Sequence, residues 1–83
     1  MRRLVLYGRP ECHLCDEARE ILEALIQKAG DLELVELNIE EDDDLHGRFL
    51  ERIPVIELDG RILSELVPDV QRLRSTLLNT STR

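Results

Sequence analysis

Two cysteines, three residues apart in Cys12-His13-Leu14-Cys15, stand where a short apolar run gives way to a long helical pattern. Residues at i and i+3 share one face of a helix, so the fold must present that face where the helix begins. Residues 3–7, built of Arg, Leu, Val and Tyr, read as a buried strand, and Gly8-Arg9-Pro10-Glu11 breaks it. From near Cys12, apolar residues recur at steps of three and four: Cys15, Ala18, Leu22, Leu25 and Ala29, with Ile21 and Ile26 widening the stripe. That period is helical. Glu17, Glu20, Glu23 and Lys28 are left for the wet side, and Gly30 supplies the residue past the helix end that often needs φ > 0.

Val35, Leu37 and Ile39 alternate with Glu36 and Asn38, which predicts a half-buried strand over 33–39. Two strands joined through a long helix form a βαβ unit, with parallel strands and a right-handed crossover. The acidic run Glu40-Glu41-Asp42-Asp43-Asp44 then opens a second helix reaching about Leu50, with Leu45, Phe49 and Leu50 inward. Carboxylates suit a helix N-terminus, whereas a calcium loop needs interleaved ligands and a turn glycine that this run does not have. Residues 54–58 and 61–63 flank Asp59-Gly60, a two-residue hairpin signal because both central positions need φ > 0. Pro68 opens a last helix with Val70, Leu73 and Leu77 inward and Leu66 and Val67 anchoring its start, and residues 79–83 should fray. The expected order is βαβ-α-ββα in a single domain over 1–83, an α/β fold without repeats or linkers.

Eighty-three residues build a small core; a chain of this size buries about 60–65% of its unfolded surface. Tyr7 and Phe49 are the two aromatics, so that core must be Leu, Ile and Val. A net charge of −7 argues for a soluble protein and against nucleic acid as a partner, which would call for a basic stripe. The apolar run at 4–7 is too short for a signal peptide or a membrane span. The expected location is the cytoplasm, without a membrane partner. Thiols there stay reduced, and a close cysteine pair is more often catalytic or metal-binding than structural.

In disulfide exchange the thiolate is the nucleophile. The first residues of a helix offer unpaired N–H groups and a partial positive charge. Cys12 stands at that place, so it is the expected nucleophile. Cys15, one turn deeper on the buried stripe, is the expected resolving thiol. A purely structural bridge would close only a four-residue loop, contributing roughly 2 kcal/mol. Zinc needs four ligands; the pair supplies two, and His13 and His46 are the remaining candidates. Haem attachment needs a His after the second cysteine. Two further alternatives stay open: a metal or iron–sulfur module, shared across a dimer, on the same cysteines, and a non-catalytic adaptor.

Leu-Tyr-Gly-Arg-Pro-Glu-Cys-His-Leu-Cys at 6–15, Ile53-Pro54 before the hairpin and the element order together resemble the glutaredoxin-like branch of the thioredoxin superfamily. Cys-His-Leu-Cys followed by Asp16-Glu17-Ala18 looks most like its small bacterial members. The resemblance implies a three-layer α/β/α thioredoxin-like fold with a four-stranded mixed sheet. It also implies a cis Ile53–Pro54 bond beside the cysteines, where the backbone of Ile53 meets substrate like an added strand. Arg9 occupies the position three before the first cysteine at which glutaredoxins carry Lys or Arg. There a cation tunes the thiolate, as His13 does when protonated. Leu6 stands where thioredoxins proper carry a buried Asp. The expected activity is thiol–disulfide exchange by a monomer on a disulfide-bearing protein or small thiol substrate, with glutathione or a thioredoxin reductase as electron donor. No tightly bound cofactor or metal is expected. Where many glutaredoxins hold glutathione with Gly-Gly and polar residues, this chain has Ser64-Glu65 and then Leu66-Val67-Pro68, and Glu65 sets a negative charge against an anionic ligand. Glu11, Asp16 and Glu17 also disfavour a thiolate, so the Cys12 pKa should be less depressed than in glutaredoxins with fewer acidic neighbours.

Overall fold

The structure, a computed structural model, describes residues 2–79. In chain order the elements are β1 (Arg2–Gly8), α1 (His13–Ala29), β2 (Leu32–Asn38), a 3₁₀ turn (Ile39–Glu41), α2 (Asp43–Phe49), β3 (Val55–Leu58), β4 (Arg61–Glu65) and α3 (Val70–Asn79). The strands form one sheet in the order β2-β1-β3-β4. β1 runs parallel to β2 and antiparallel to β3, and β3 is antiparallel to β4. Successive side chains of a strand point to opposite faces. Leu4, Leu6 and Ile56 therefore meet Ala18, Leu22 and Leu25 of α1 and Leu73 and Leu77 of α3 on one face. Tyr7 and Val55 meet Phe49 of α2 on the other. The result is the three-layer α/β/α arrangement that the family resemblance implies.

α1 follows its apolar stripe: Cys15, Ala18, Leu22 and Leu25 are buried. Gly30 closes it in the left-handed region (φ 81°), donating its N–H to Ile26 O at 3.0 Å. In the hairpin, Asp59 (φ 47°) and Gly60 (φ 91°) both take positive φ, as the turn requires. At the far end of the sheet, Arg2 donates to Asp31 (2.8 Å) and to the carbonyl of Leu77 (2.9 Å). One guanidinium thus clasps the start of β1, the turn after α1 and the last turn of α3.

Several expectations drawn from residue type are corrected. β2 is an edge strand, which leaves Leu37 exposed while Leu32 is buried. Ile39 lies beyond the strand, in the 3₁₀ turn, and is fully buried there. The acidic run divides. Glu40 and Glu41 belong to that turn, and Asp42 caps α2 by accepting the N–H groups of Asp44 (2.9 Å) and Leu45 (3.3 Å). Leu50 follows the last helical residue and is exposed, not inward. α3 is capped by Asp69 rather than opened by Pro68: its carboxylate accepts the Arg72 N–H at 3.1 Å. The Asp69 N–H in turn reaches the buried Ser64 hydroxyl at 3.3 Å. Leu73 and Leu77 are buried, but Val70, the first residue of α3, faces solvent. Leu66 and Val67 do not anchor the helix start either; both are exposed. Asn79 still belongs to α3, and the fraying expected at 80–83 lies outside the described residues. No helix among the described residues is long and apolar enough to cross a membrane.

Candidate functional site

Strand register gathers the sequence-predicted residues at one end of the sheet. Tyr7 pairs with Val55, Val55 with Glu65, and Gly8 with Asn38. The loop from Gly8 to the cysteines, the segment Arg52-Ile53-Pro54 and the segment Glu65-Leu66-Val67 therefore leave the sheet side by side. Neighbouring strands are about 4.8 Å apart, so the three segments span roughly 10 Å.

Cys12 is the N-cap of α1, with extended φ −110° and ψ 109°. Its sulfur accepts the N–H of Cys15 at 3.2 Å, and its carbonyl accepts the N–H of Asp16 at 3.1 Å. An N-cap atom satisfies one of the orphan donors of the first turn, and here that atom is sulfur. The same N–H and the helix dipole stabilise negative charge on it. Cys12 and Cys15 are joined as a disulfide with their Cα atoms 5.2 Å apart. Cys15 is 2% exposed, whereas Cys12 is part-exposed.

Two residues outside the predicted site set this geometry. A Cβ added at Gly8 would stand 3.0 Å from the Cys15 sulfur, a tight contact, so glycine at the strand end lets the helix seat that close without displacing the sulfur. Sequence reading took Gly8 for a strand breaker; the constraint comes from a contact with the next element, which local pattern does not carry. Glu11 takes φ 59°, an uncommon conformation for a residue with a side chain. It stands directly before the Cys12 cap of α1.

Arg9 is exposed in this loop and lines, with Gly8, Pro10 and Cys15, an open cleft of about 370 Å³ between the ends of β1 and β2 and the start of α1. His13, the first residue of α1, is exposed, with its Nε2 3.2 Å from a Glu17 carboxylate oxygen. Asp16 is held by Arg19 at 3.2 Å, and Arg19 also binds Glu36 at 2.8 Å. These bonds, that to Glu36 first, raise the Arg19 pKa. They also engage one of the carboxylates next to the cysteines. Among the described residues, no group of three or more His, Cys, Asp or Glu gathers as a metal cage.

The Ile53–Pro54 peptide is cis. Pro54 is buried, and Ile53 packs against the Ile39–Phe49–Val55 cluster. The Ile53 N–H is already donated to Phe49 O at 3.1 Å. The Leu66 N–H donates to Arg52 O at 2.9 Å, and Arg52 faces Glu65 at 3.6 Å, so the loop after β4 is tied to the segment before Pro54.

With this arrangement in place, comparison with known proteins is decisive. The sequence model of the family described as a glutaredoxin-like domain (DUF836) matches residues 3–78. The chain belongs to this family. Among solved structures, the glutaredoxin-like chain is similar to protein Ne2328 of Nitrosomonas europaea, at 32% identity and a TM-score of 0.78, over 92% of this chain and 91% of that one. It is similar to a protein of X. campestris at 35% identity and a TM-score of 0.70, over 89% and 93% of the two chains. Oxidised thioredoxin O2 of Arabidopsis thaliana shares the fold alone, with 20% identity and a TM-score of 0.70 over 96% of this chain and 75% of that one. A glutaredoxin-like member of the thioredoxin superfamily with a close cysteine pair is compatible with redox function.

Proposed function

We infer that the chain is a thiol–disulfide oxidoreductase working through Cys12 and Cys15. The observation that carries this reading is the position of the Cys12 sulfur, which caps α1 and accepts the Cys15 N–H while Cys15 sits buried one turn behind it. The Cys12 thiolate attacks one sulfur of a substrate disulfide. A mixed disulfide forms, and the other substrate sulfur leaves as a thiolate that takes a proton. Cys15 then gives up its proton, attacks the Cys12 sulfur and expels the second substrate thiol. Two electrons have passed to the substrate, and the pair is left as its internal disulfide. A thiol pool such as glutathione, or a thioredoxin reductase, returns the electrons. Arg9 and protonated His13 favour the thiolate. Ile53 and Pro54 form the shelf along which substrate backbone lies, with the Ile53 carbonyl as its acceptor. The protein acts as a monomer in the reducing cytoplasm.

Matched variants test this with a small disulfide substrate. Cys12→Ser should abolish exchange. Cys15→Ser should keep the first attack and accumulate mixed disulfide, visible as a mass increment. The opposite pattern reverses the assignment. One equivalent of metal or iron–sulfur cluster per dimer of purified protein, lost in either variant, would replace exchange with a metal-binding role.

A further inference from the structure

The sheet has two outer edges among the described residues, and they are finished differently. β4 is five residues long, begins at Arg61, and its pairing with β3 breaks register between Ile56 and Glu57. β2 is seven residues long and pairs with β1 in unbroken register from Leu32 to Asn38. Edge strands are commonly kept from accepting a further strand by Lys, Pro, a bulge or a covering segment. β2 contains no Lys, Arg, Pro or Gly. Its charges are Glu33 and Glu36, both exposed. Alternation puts Leu34 and Glu36 on the α1 side of the sheet and Glu33, Val35 and Leu37 on the other. Leu37 is 39% exposed.

The ground beside this edge is both shaped and charged. An open groove of about 640 Å³ lies between α1 and β2, lined by Glu23, Ile26, Gln27, Leu34 and Glu36. Glu36 also lines the cleft at the Cys15 end. The two form one trench along the free edge, roughly 15 Å from Asp16 to Gln27 at the helical rise. Residues 11–44, which include α1 and β2, hold thirteen of the eighteen carboxylates and two of the eleven basic residues. One of those two, Arg19, is already engaged by Asp16 and Glu36. A second copy of this chain fits the edge badly, because edge-to-edge pairing brings two strongly acidic flanks together. A basic extended segment gains the ladder bonds and the charge complement together.

We propose that the free edge of β2, with the trench beside α1, is a docking surface on which a partner protein adds a basic extended segment to the four-stranded sheet. Apolar side chains of that segment lie against Leu34, Val35 and Leu37, and its cations face Glu23, Glu33 and Glu36. The surface lies at the opposite edge of the sheet from β4 and stands apart from the exchange reading.

The test uses the full chain and labelled peptides of about nine residues, the length of a long strand. One alternates Lys and Val, one is the same with a central Pro, and one alternates Glu and Val. Fluorescence anisotropy at low salt should show saturable binding of the Lys/Val peptide and none of the Glu/Val peptide. The Pro peptide should bind about tenfold more weakly, because it lacks a ladder N–H. Amide hydrogen exchange in the Lys/Val complex should show new protection at alternate residues of β2, those whose N–H groups face outward. Glu23→Lys/Glu33→Lys should weaken Lys/Val binding about tenfold and leave reduction of hydroxyethyl disulfide and the circular dichroism unchanged. Equal binding of the Pro peptide, or protection at the acidic start of α2 instead of β2, would reduce the effect to charge attraction and overturn the proposal. Absence of binding would overturn it as well. Protection of β2 that grows with protein concentration in the absence of peptide would assign the edge to a second copy instead.

Discussion

The two faces of the sheet are built to different standards. Under α1 and α3, nine aliphatic residues, from Leu4 and Leu6 through Leu22 to Leu73 and Leu77, form one continuous cluster. Under α2 the buried set is Ile39, Phe49 and Val55, edged by Tyr7, Leu45 and Ile53. The second face adds specific contacts to that small area. The rings of Tyr7 and Phe49 lie 4.7 Å apart at 35°, the Arg48 guanidinium sits 4.8 Å over Phe49, and the Tyr7 hydroxyl donates to the Glu57 carboxylate. The first face carries most of the hydrophobic stabilisation. The second, held by a seven-residue helix, carries Ile53, the residue before the cis proline at the cysteine end of the sheet. Bulk burial holds the fold, and a few directional contacts aim the site.

The division can be broken most severely from the thick side. Leu22→Ala should cost roughly 2–5 kcal/mol, the range for truncating a buried Leu. Against a typical total of about 5–15 kcal/mol that is a large share, and urea unfolding followed by far-UV circular dichroism reads it. Exchange per folded molecule should change little. A smaller stability loss, about 1–2 kcal/mol, is expected for Phe49→Leu, which keeps an apolar filler and gives up the ring contacts. There the exchange rate should drop with stability only partly impaired, because Ile53 packs against the cluster that the Phe49 ring fills. Equal effects of the two variants on activity per folded molecule would erase the distinction between the faces.

Titration gives a gentler probe of the thin face. Burial first, then the hydrogen bond to Glu57, pushes the Tyr7 pKa up to about 12. A phenol whose folded pKa is raised contributes stability fully present below its unfolded pKa near 10, lost as pH climbs through about 12. Tyr7 is the one tyrosine and the chain has no tryptophan, so tyrosinate absorbance reports it alone. Tyr7→Phe should flatten the alkaline limb of stability. The smallest effect belongs to the rim of the thick face. The hydrogen bond from Arg2 holds the exposed Asp31 carboxyl below its ordinary value. Its contribution is therefore present above pH ~4 and lost as pH falls through the lowered folded value. Asp31→Asn should remove only this shallow acid dependence, measured as the shift in urea midpoint between neutral and acid pH.

The same contrast explains what sequence could reveal. α1 was legible because its stripe, its glycine stop and its cysteines all obey one period, and the hairpin because Asp59-Gly60 has one cheap geometry. The α2 face and the loops beside it were harder. Leu50, Leu66, Val67 and Val70 look like core residues by type, yet all four are exposed. Hydrophobic pattern tells where water is excluded on average; it does not distinguish a core residue from an apolar one held outward. Cys12, Cys15, Arg9, Ile53 and Pro54 could be picked out by motif; Gly8 and Glu11 stand in the same stretch, but a close approach to the Cys15 sulfur and a positive φ are not spelled out by residue type.

The Arg2 clasp has a practical consequence. β1 rises about 3.3 Å per residue over its seven residues, so the guanidinium that gathers Asp31 and the Leu77 carbonyl lies roughly 20 Å from the strand end beside the sulfurs. Both ends of the described chain hang from the pole opposite the chemistry. A fluorescent reporter, a surface tether or a second copy joined in tandem at either end would leave the cysteines facing outward, so the protein can be mounted by its tail and interrogated by its head.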